Sequence, residues 1–155
     1  MNREFLGPAV FDGSRLVGLP LSGPLTASFR STSIPQHAGG HTGVDIGAVT
    51  GTLVRAPGAG RVTAATASSG PFGTYVTLAH PGGYHTLYAH LSRLLVREGQ
   101  AVYPGDTIGA VGVTGLTTGP HLHWGLALDG TPLQRGPHLL DPLAHISAAP
   151  SRVDR

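Results

Sequence analysis

Two short patterns of histidine and aspartate have the residue types and spacing of a metal site. In the first, His41-x-x-x-Asp45, an imidazole and a carboxylate lie four residues apart, where a turn-rich segment enters a predicted strand. In the second, His121-x-His123, two imidazoles lie two residues apart, so both project from one face if the segment is a strand. Together the patterns offer up to four ligands.

The residue types in these two patterns are those of a catalytic zinc site. The chain has no cysteine, so a transition-metal site in it must use histidine and carboxylate groups. Catalytic zinc sites have three protein ligands and leave the fourth position to water. Three ligands from the two patterns would meet this requirement and leave one histidine of the His121 and His123 pair free for proton transfer. Either pattern alone is common by chance, but both occur with a third histidine, His90, that ends a predicted strand.

The other five histidines are expected to have structural roles. His37 and His138 lie in predicted loops, His80 lies at a turn, His85 lies on the strand face opposite to His90, and His145 lies near the tail. None of the five is part of the predicted site.

Composition indicates a single all-β domain. A chain of 155 residues is long enough to bury a core, and its 24 glycines and 13 prolines separate apolar, β-branched runs. This pattern is typical of short strands joined by tight turns, and no segment predicts a helix longer than about two turns. We expect a loop-rich extension over residues 1–24, a compact antiparallel β domain over residues 25–146 and a flexible tail over residues 147–155.

Clusters of glycine, proline and serine bound the predicted strands. These strands cover residues 25–29, 52–56, 60–67, 75–80, 84–90, 107–111 and 121–128. A Pro81-Gly82-Gly83 turn should join two of them as a hairpin, and residues 91–96 are expected to form a short helical turn. In the last strand, Leu122 and Trp124 should pack on the face opposite to the histidines.

Charge and hydropathy exclude some classes of function. All ten basic residues are arginines, they are scattered, and the formal net charge is +2, so we expect no nucleic-acid partner. A mildly basic surface would suit an anionic polymer such as a bacterial cell wall. No apolar run approaches the about 18 residues of a membrane span, and Met1 is not followed by the apolar stretch of a signal peptide. We therefore expect export to depend on sequence outside this chain, or the chain to be a mature or truncated form.

Three ordered segments carry a resemblance to a known family. They are GGHTGVDI at 39–46, GTYVTLAHPGGYHTLYAHLS at 73–92 and TGPHLHW at 118–124. In this order and at these intervals they resemble the M23 family of zinc metallopeptidases, of the lysostaphin or LytM type. The resemblance runs from about Ser28 to Leu143.

The resemblance implies both a fold and a site. The implied fold is a compact antiparallel β-sheet domain of the duplicated-hybrid-motif type, with a substrate groove over one zinc ion. The implied zinc ligands are His41, Asp45 and His123, and the implied catalytic pair is His90 and His121. Zinc in such a site polarises the scissile carbonyl and lowers the pKa of its bound water towards about 7.

Roles within the catalytic pair follow from position. We assign His121 as the general base because its neighbour two residues on holds the metal. His90 would orient the water or donate a hydrogen bond to the oxyanion, and the two roles could be exchanged. Tyr88, on the predicted face of His90, is a candidate for lining the groove and binding substrate, although a packed aromatic explains it equally well.

The implied function is that of a zinc-dependent endopeptidase, which hydrolyses stem peptides or peptide crosslinks of bacterial peptidoglycan outside the cytoplasm. All five expected positions are occupied, which favours an active enzyme over a catalytically silent, zinc-binding regulator of another cell-wall hydrolase. Separately, we expect a monomer. Glycyl-glycine bridges, stem-peptide crosslinks and non-wall peptides all fit the same chemistry. Residues 96–106 also resemble the turn of a biotinyl or lipoyl carrier domain, but such a carrier needs an acceptor lysine and the chain has none.

Overall fold

Short apolar runs between glycine and proline residues form eleven strands in a computed structural model, which describes residues 5–6 and 19–145. The strands are β1 (Phe5–Leu6), β2 (Gly23–Ala27), β3 (Val44–Gly47), β4 (Leu53–Arg55), β5 (Gly60–Ala67), β6 (Thr74–Ala79), β7 (Tyr84–Leu94), β8 (Ala101–Val102), β9 (Thr107–Val111), β10 (His121–Leu128) and β11 (Leu139–Leu140). Three short 3₁₀ segments cover Pro35–His37, Pro81–Gly83 and Pro142–His145. No described residue belongs to an α-helix.

The strands pair antiparallel in one sheet. Its main order is β1-β2-β3-β10-β7-β6-β5-β8, while β11 pairs with β10 and β9 pairs with both β4 and β7. The predicted all-β antiparallel fold is therefore confirmed. Within the described ranges, no helix has the length and apolar character needed to cross a membrane.

One face of β10 carries the centre of the core. Leu122 and Trp124 are fully buried there, and Trp124 is paired with Tyr88 of β7. His121 and His123 alternate with them and line a groove on the other face, as predicted. Burial of each large apolar side chain contributes roughly 1.5–3 kcal/mol relative to exposure, so this face supports the strand that positions the histidines.

The hairpin between β6 and β7 forms at the predicted Pro81-Gly82-Gly83 turn. Gly82 and Gly83 have φ angles of 83° and 84°, in the left-handed region that glycine tolerates. The expected helical turn over residues 91–96 is wrong, because β7 continues to Leu94. Its last residues pair with β9, and these inter-strand hydrogen bonds override the local preference.

β7 changes partner at His90. Up to Ala89 the strand pairs with β10, and from Leu91 it pairs with β9. His90 between them has a φ of 64°, which is uncommon for a residue other than glycine. This break in the extended backbone interrupts the alternation of faces, so Tyr88 packs into the core while His90 lines the groove.

The packed domain begins before residue 25. Leu19 and Leu21 are buried in the core, and β1 pairs with β2. Residues 1–4 and 7–18 of the predicted N-terminal extension and the predicted tail over residues 147–155 lie outside the described residues. The division of the chain at those points stays a prediction.

Candidate metal centre

Strands β3 and β10 bring the two sequence patterns together. In their antiparallel register Asp45 is directly opposite His123, and side chains opposite each other project from the same face. His41 precedes β3. Its backbone N–H donates to the Ser31 carbonyl at 2.9 Å, and its carbonyl accepts from the Arg30 N–H at 2.8 Å. These backbone bonds hold the approach to β3 in place.

Three donor atoms converge at this point. His41 Nε2 is 3.1 Å from Asp45 Oδ1 and 3.1 Å from His123 Nδ1, and His123 Nδ1 is 3.3 Å from Asp45 Oδ1. All three side chains are buried. With zinc–ligand bonds of about 2.0–2.1 Å, tetrahedral ligand atoms would be about 3.3 Å apart. The set therefore has the spacing and the N/O donors that zinc accepts.

The protonation states suit a cation. His41 Nδ1 is 3.1 Å from the Ser28 carbonyl, which can only accept, so Nδ1 carries a proton and the neutral ring offers its lone pair on Nε2. Burial lowers the pKa of His123 and favours its neutral form. Burial alone would raise the pKa of Asp45, but interactions with His123 and His41 outweigh it and hold that pKa well below its usual range. A buried carboxylate and two imidazole nitrogens thus share one point.

A further histidine, His37, lies at the same centre, although we predicted it to be a structural loop residue. It is 7% exposed, its ring stacks on His41 at a centroid distance of 3.7 Å, and its Nε2 is 3.6 Å from Asp45 Oδ2. Ligand atoms of His37, His41 and Asp45 all lie within 4.8 Å of one another. This set is looser than the one that contains His123. Spacing in a loop does not fix a side-chain direction, so sequence reasoning had no signal for His37.

His121 presents one free nitrogen to the centre. Its Nδ1–H donates to the Gly119 carbonyl at 2.8 Å and lies 3.1 Å from Thr117 Oγ1. The Nε2 atom, which then has the lone pair, lies 3.5 Å from Asp45 Oδ2. His121 is therefore oriented from behind by backbone and can accept a proton at the groove.

His90 is held in a similar way. Its Nδ1–H donates to the Thr114 carbonyl at 2.8 Å, and its backbone N–H donates to the Phe72 carbonyl at 2.9 Å. Burial lowers the pKa of His90 to about 4, so the ring is neutral at pH 7 with its lone pair on Nε2. Its ring centroid is 5.0 Å from that of His121 and 6.1 Å from that of His123.

An open groove passes over the centre. Besides the histidines and Asp45, its lining is mostly apolar or hydroxyl-bearing: Thr26, Ala27, Ser33, Ile34, Thr42, Pro71, Phe72, Leu116, Thr117 and Thr118. Tyr88 does not line it. That ring is fully buried, and its hydroxyl donates to Thr86 Oγ1 at 2.8 Å. The prediction that Tyr88 binds substrate is therefore wrong, because the alternation that placed it beside His90 breaks at His90.

A groove in a β-sheet with two imidazoles and a carboxylate at one point, flanked by three further imidazoles, is the arrangement of a metal-dependent hydrolase. The comparison with known families agrees. The model of Peptidase family M23 matches residues 39–135, which is more than half of the chain. This chain belongs to that family, and the family together with the His and Asp group indicates a metal.

Named relatives and solved structures are consistent with this assignment. The chain is 45% identical over 93 residues to a DD-carboxypeptidase/endopeptidase (Mpg) of Neisseria meningitidis and 43% identical over 93 residues to a peptidoglycan DD-endopeptidase (ShyA) of Vibrio cholerae. Each match covers 60% of this chain but 21% of the relative, so the chain spans only about a fifth of those proteins.

Two solved structures share the fold. The catalytic domain of lysostaphin from Staphylococcus simulans is 28% identical with a TM-score of 0.72, over 79% of this chain and 90% of that one. A zinc-containing peptidase from Vibrio cholerae is 28% identical with a TM-score of 0.65, over 86% of this chain and 40% of that one.

Proposed function

We propose that this chain is a zinc-dependent endopeptidase that hydrolyses stem peptides or peptide crosslinks of bacterial peptidoglycan. The observation that carries the proposal is the convergence of His41 Nε2, Asp45 Oδ1 and His123 Nδ1 beside His90 and His121. All five residues lie inside the family match, and relatives matched there are named peptidoglycan endopeptidases. Such a substrate implies action outside the cytoplasm.

One zinc ion per chain would be held by His41 Nε2, Asp45 Oδ1 and His123 Nδ1. When bound, zinc supplies Lewis-acid polarisation of the peptide carbonyl and makes a water acidic enough to react near neutral pH. The chain prepares these ligands by keeping His41 in the tautomer with a free Nε2 and Asp45 ionised. Their burial limits competition from bulk water for the same atoms.

The two other histidines, His121 and His90, would transfer the proton and orient the attacking water. His121 Nε2 has a lone pair and can take a proton from the attacking water, then pass it to the leaving amine. Neutral His90 has its only N–H committed to Thr114, so its Nε2 can accept a hydrogen bond but cannot donate one to an oxyanion. Of the two roles expected for His90, orientation of the water is therefore the better supported.

Digestion of purified peptidoglycan tests this function. The metal-free chain, the zinc-loaded chain and an Asp45→Asn variant supplied with zinc are each incubated with the substrate, and mass spectrometry identifies the released fragments. We expect new peptide termini only with the zinc-loaded wild-type chain. Release of sugar fragments alone would contradict a peptidase. Zinc binding without any hydrolysis would instead support the silent regulator.

A further inference from the structure

We propose that His37 is a positioning residue of the metal centre, which keeps His41 and Asp45 in their metal-binding orientation, and that Arg135 in turn positions His37. The inference rests on the proposed function, because it takes His41, Asp45 and His123 as the metal ligands. It adds a residue that lies outside the family match, which begins at residue 39.

His37 touches two of the three proposed ligands. Its ring lies parallel to that of His41, with 18° between the planes, so it restricts rotation of the imidazole that must aim Nε2 at the metal. Its Nε2 faces Asp45 Oδ2 at 3.6 Å, while Oδ1 of the same carboxylate faces His41 and His123. The oxygen that is not directed to the other ligands thus lies between His37 and His121, whose Nε2 is 3.5 Å away. Such contacts orient a ligating carboxylate.

Stacking also argues against a direct ligand role for His37. The lone pair of an imidazole nitrogen lies in the plane of the ring. Two rings stacked face to face at 3.7 Å therefore direct their lone pairs side by side and not towards one point. His37 supports the ligands from beside them.

Hydrogen bonding of His37 itself does not explain its burial. Among the described residues, its Nδ1 is buried with no hydrogen-bond partner. Burial of a polar atom without a partner costs free energy. The interactions that His37 gains by its burial are its contacts with His41 and Asp45.

Arg135 fixes the short segment between His37 and His41. Its guanidinium, in the loop between β10 and β11, donates to the consecutive carbonyls of residues 38–40 at 3.1, 3.3 and 2.7 Å. Gly39 and Gly40 in that segment have φ angles of 84° and 97°, in the left-handed region that glycine adopts without strain. Three bonds from one planar group hold it in a single shape.

Zinc affinity is the direct test. The dissociation constant of the full chain is measured by competition with a chromophoric chelator for wild type, His37→Ala and His37→Phe. We expect His37→Ala to weaken binding about 10- to 100-fold. Phenylalanine can stack but has no nitrogen, so His37→Phe should recover part of the loss. His85→Ala, which removes a histidine outside the groove, should bind as wild type does.

Several outcomes would overturn the inference. An affinity of His37→Ala within twofold of wild type would show that His37 positions nothing. A loss as large as that of Asp45→Ala, or an altered d–d absorption spectrum of the cobalt-saturated variant, would make His37 a ligand. Two zinc ions per wild-type chain would assign His37 to a second site. Tight binding by His41→Ala would instead overturn the proposed ligand set, which separates the two failures.

A second variant tests Arg135 without altering a buried side chain. Arg135 is exposed, so Arg135→Gln should fold, and melting of the metal-free protein checks this. We expect a smaller loss of zinc affinity than for His37→Ala, and no further loss when the two changes are combined. Arg61→Gln, which removes another exposed arginine bonded to a carbonyl, is the matched control. Additive losses would show that Arg135 does not act through His37.

Discussion

The backbone of Gly43 lies directly against the imidazole of His123. A Cβ placed on Gly43 would be 3.0 Å from both Cε1 and Nε2 of that ring and 2.4 Å from the carbonyl oxygen of Trp124. Gly43 stands between His41 and Asp45 in the sequence. The glycine therefore permits the chain that carries two proposed ligands to approach the third.

Replacement of Gly43 by alanine should push these ligands apart. We expect Gly43→Ala to weaken zinc binding at least tenfold and to destabilise the fold by about 1–3 kcal/mol, because the carbonyl that it would meet cannot move without its strand. Chelator competition and denaturant unfolding measure the two effects. Gly119→Ala is the control, since a Cβ there meets no heavy atom within 4 Å. Wild-type zinc affinity in Gly43→Ala would show that the approach is not needed.

Removal of single histidines should separate metal binding from proton transfer. We expect His41→Ala to abolish zinc binding. His121→Ala should keep zinc and lose about 10²- to 10⁴-fold in kcat, because only the group that accepts the proton is lost. Metal content of the purified variants and rates on a defined peptide substrate test this. Loss of metal from His121→Ala with retention by His123→Ala would reverse the assignment within the pair.

Removal of the Tyr88 hydroxyl should affect stability and not catalysis. We expect Tyr88→Phe to lower the free energy of unfolding by about 1 kcal/mol, because Thr86 Oγ1 loses a buried donor. Steady-state kinetics should show unchanged kcat and KM. Phe72→Leu is the comparison, since Phe72 lines the groove and should change KM. A raised KM for Tyr88→Phe would restore a substrate-binding role.

Strand periodicity predicts most of the fold. The observed bounds of β5, β9 and β10 are those predicted from glycine and proline punctuation, and alternation in β10 correctly separates His123 from Trp124. Prediction fails at β7, where residues 91–94 were expected to form a helical turn. They are extended instead, because they pair with β9. That pairing joins segments about 15–20 residues apart, and local propensity contains no information on it.

Two features of the site that the sequence could not predict are the backbone turn that directs His90 and the placement of His37. Both depend on backbone geometry outside regular strands. His90 reaches the groove through a φ of 64°, which no alternation rule anticipates, and the same break sends Tyr88 into the core. His37 reaches the centre through a loop whose shape is set by Arg135, almost a hundred positions later in the chain. Such long-range contacts become visible only in the folded structure.

A buried chain of hydrogen bonds connects Tyr88 to Ala59. The Tyr88 hydroxyl donates to Thr86 Oγ1 at 2.8 Å, the Thr86 hydroxyl donates to His80 Nε2 at 2.7 Å, and His80 Nδ1–H donates to the Ala59 carbonyl at 2.8 Å. The Ala59 carbonyl can only accept, so Nδ1 carries a proton, and a neutral His80 then accepts from the Thr86 hydroxyl at Nε2. Burial lowers the pKa of His80 below its ordinary value of 6.5, although the bond to Ala59 opposes this.

The stability of the metal-free chain should therefore fall in mild acid, in part through His80. In the unfolded chain His80 takes up a proton near pH 6.5, whereas in the folded chain it does so only at lower pH. His80 therefore contributes fully to the free energy of unfolding above about pH 6.5. This contribution is lost as the pH falls through the lower pKa that His80 has in the folded chain. Denaturant unfolding from about pH 8 to 5 should show a steeper decline for wild type than for His80→Gln. Other buried histidines titrate in both proteins and cancel in the difference, so parallel curves would contradict the role of His80.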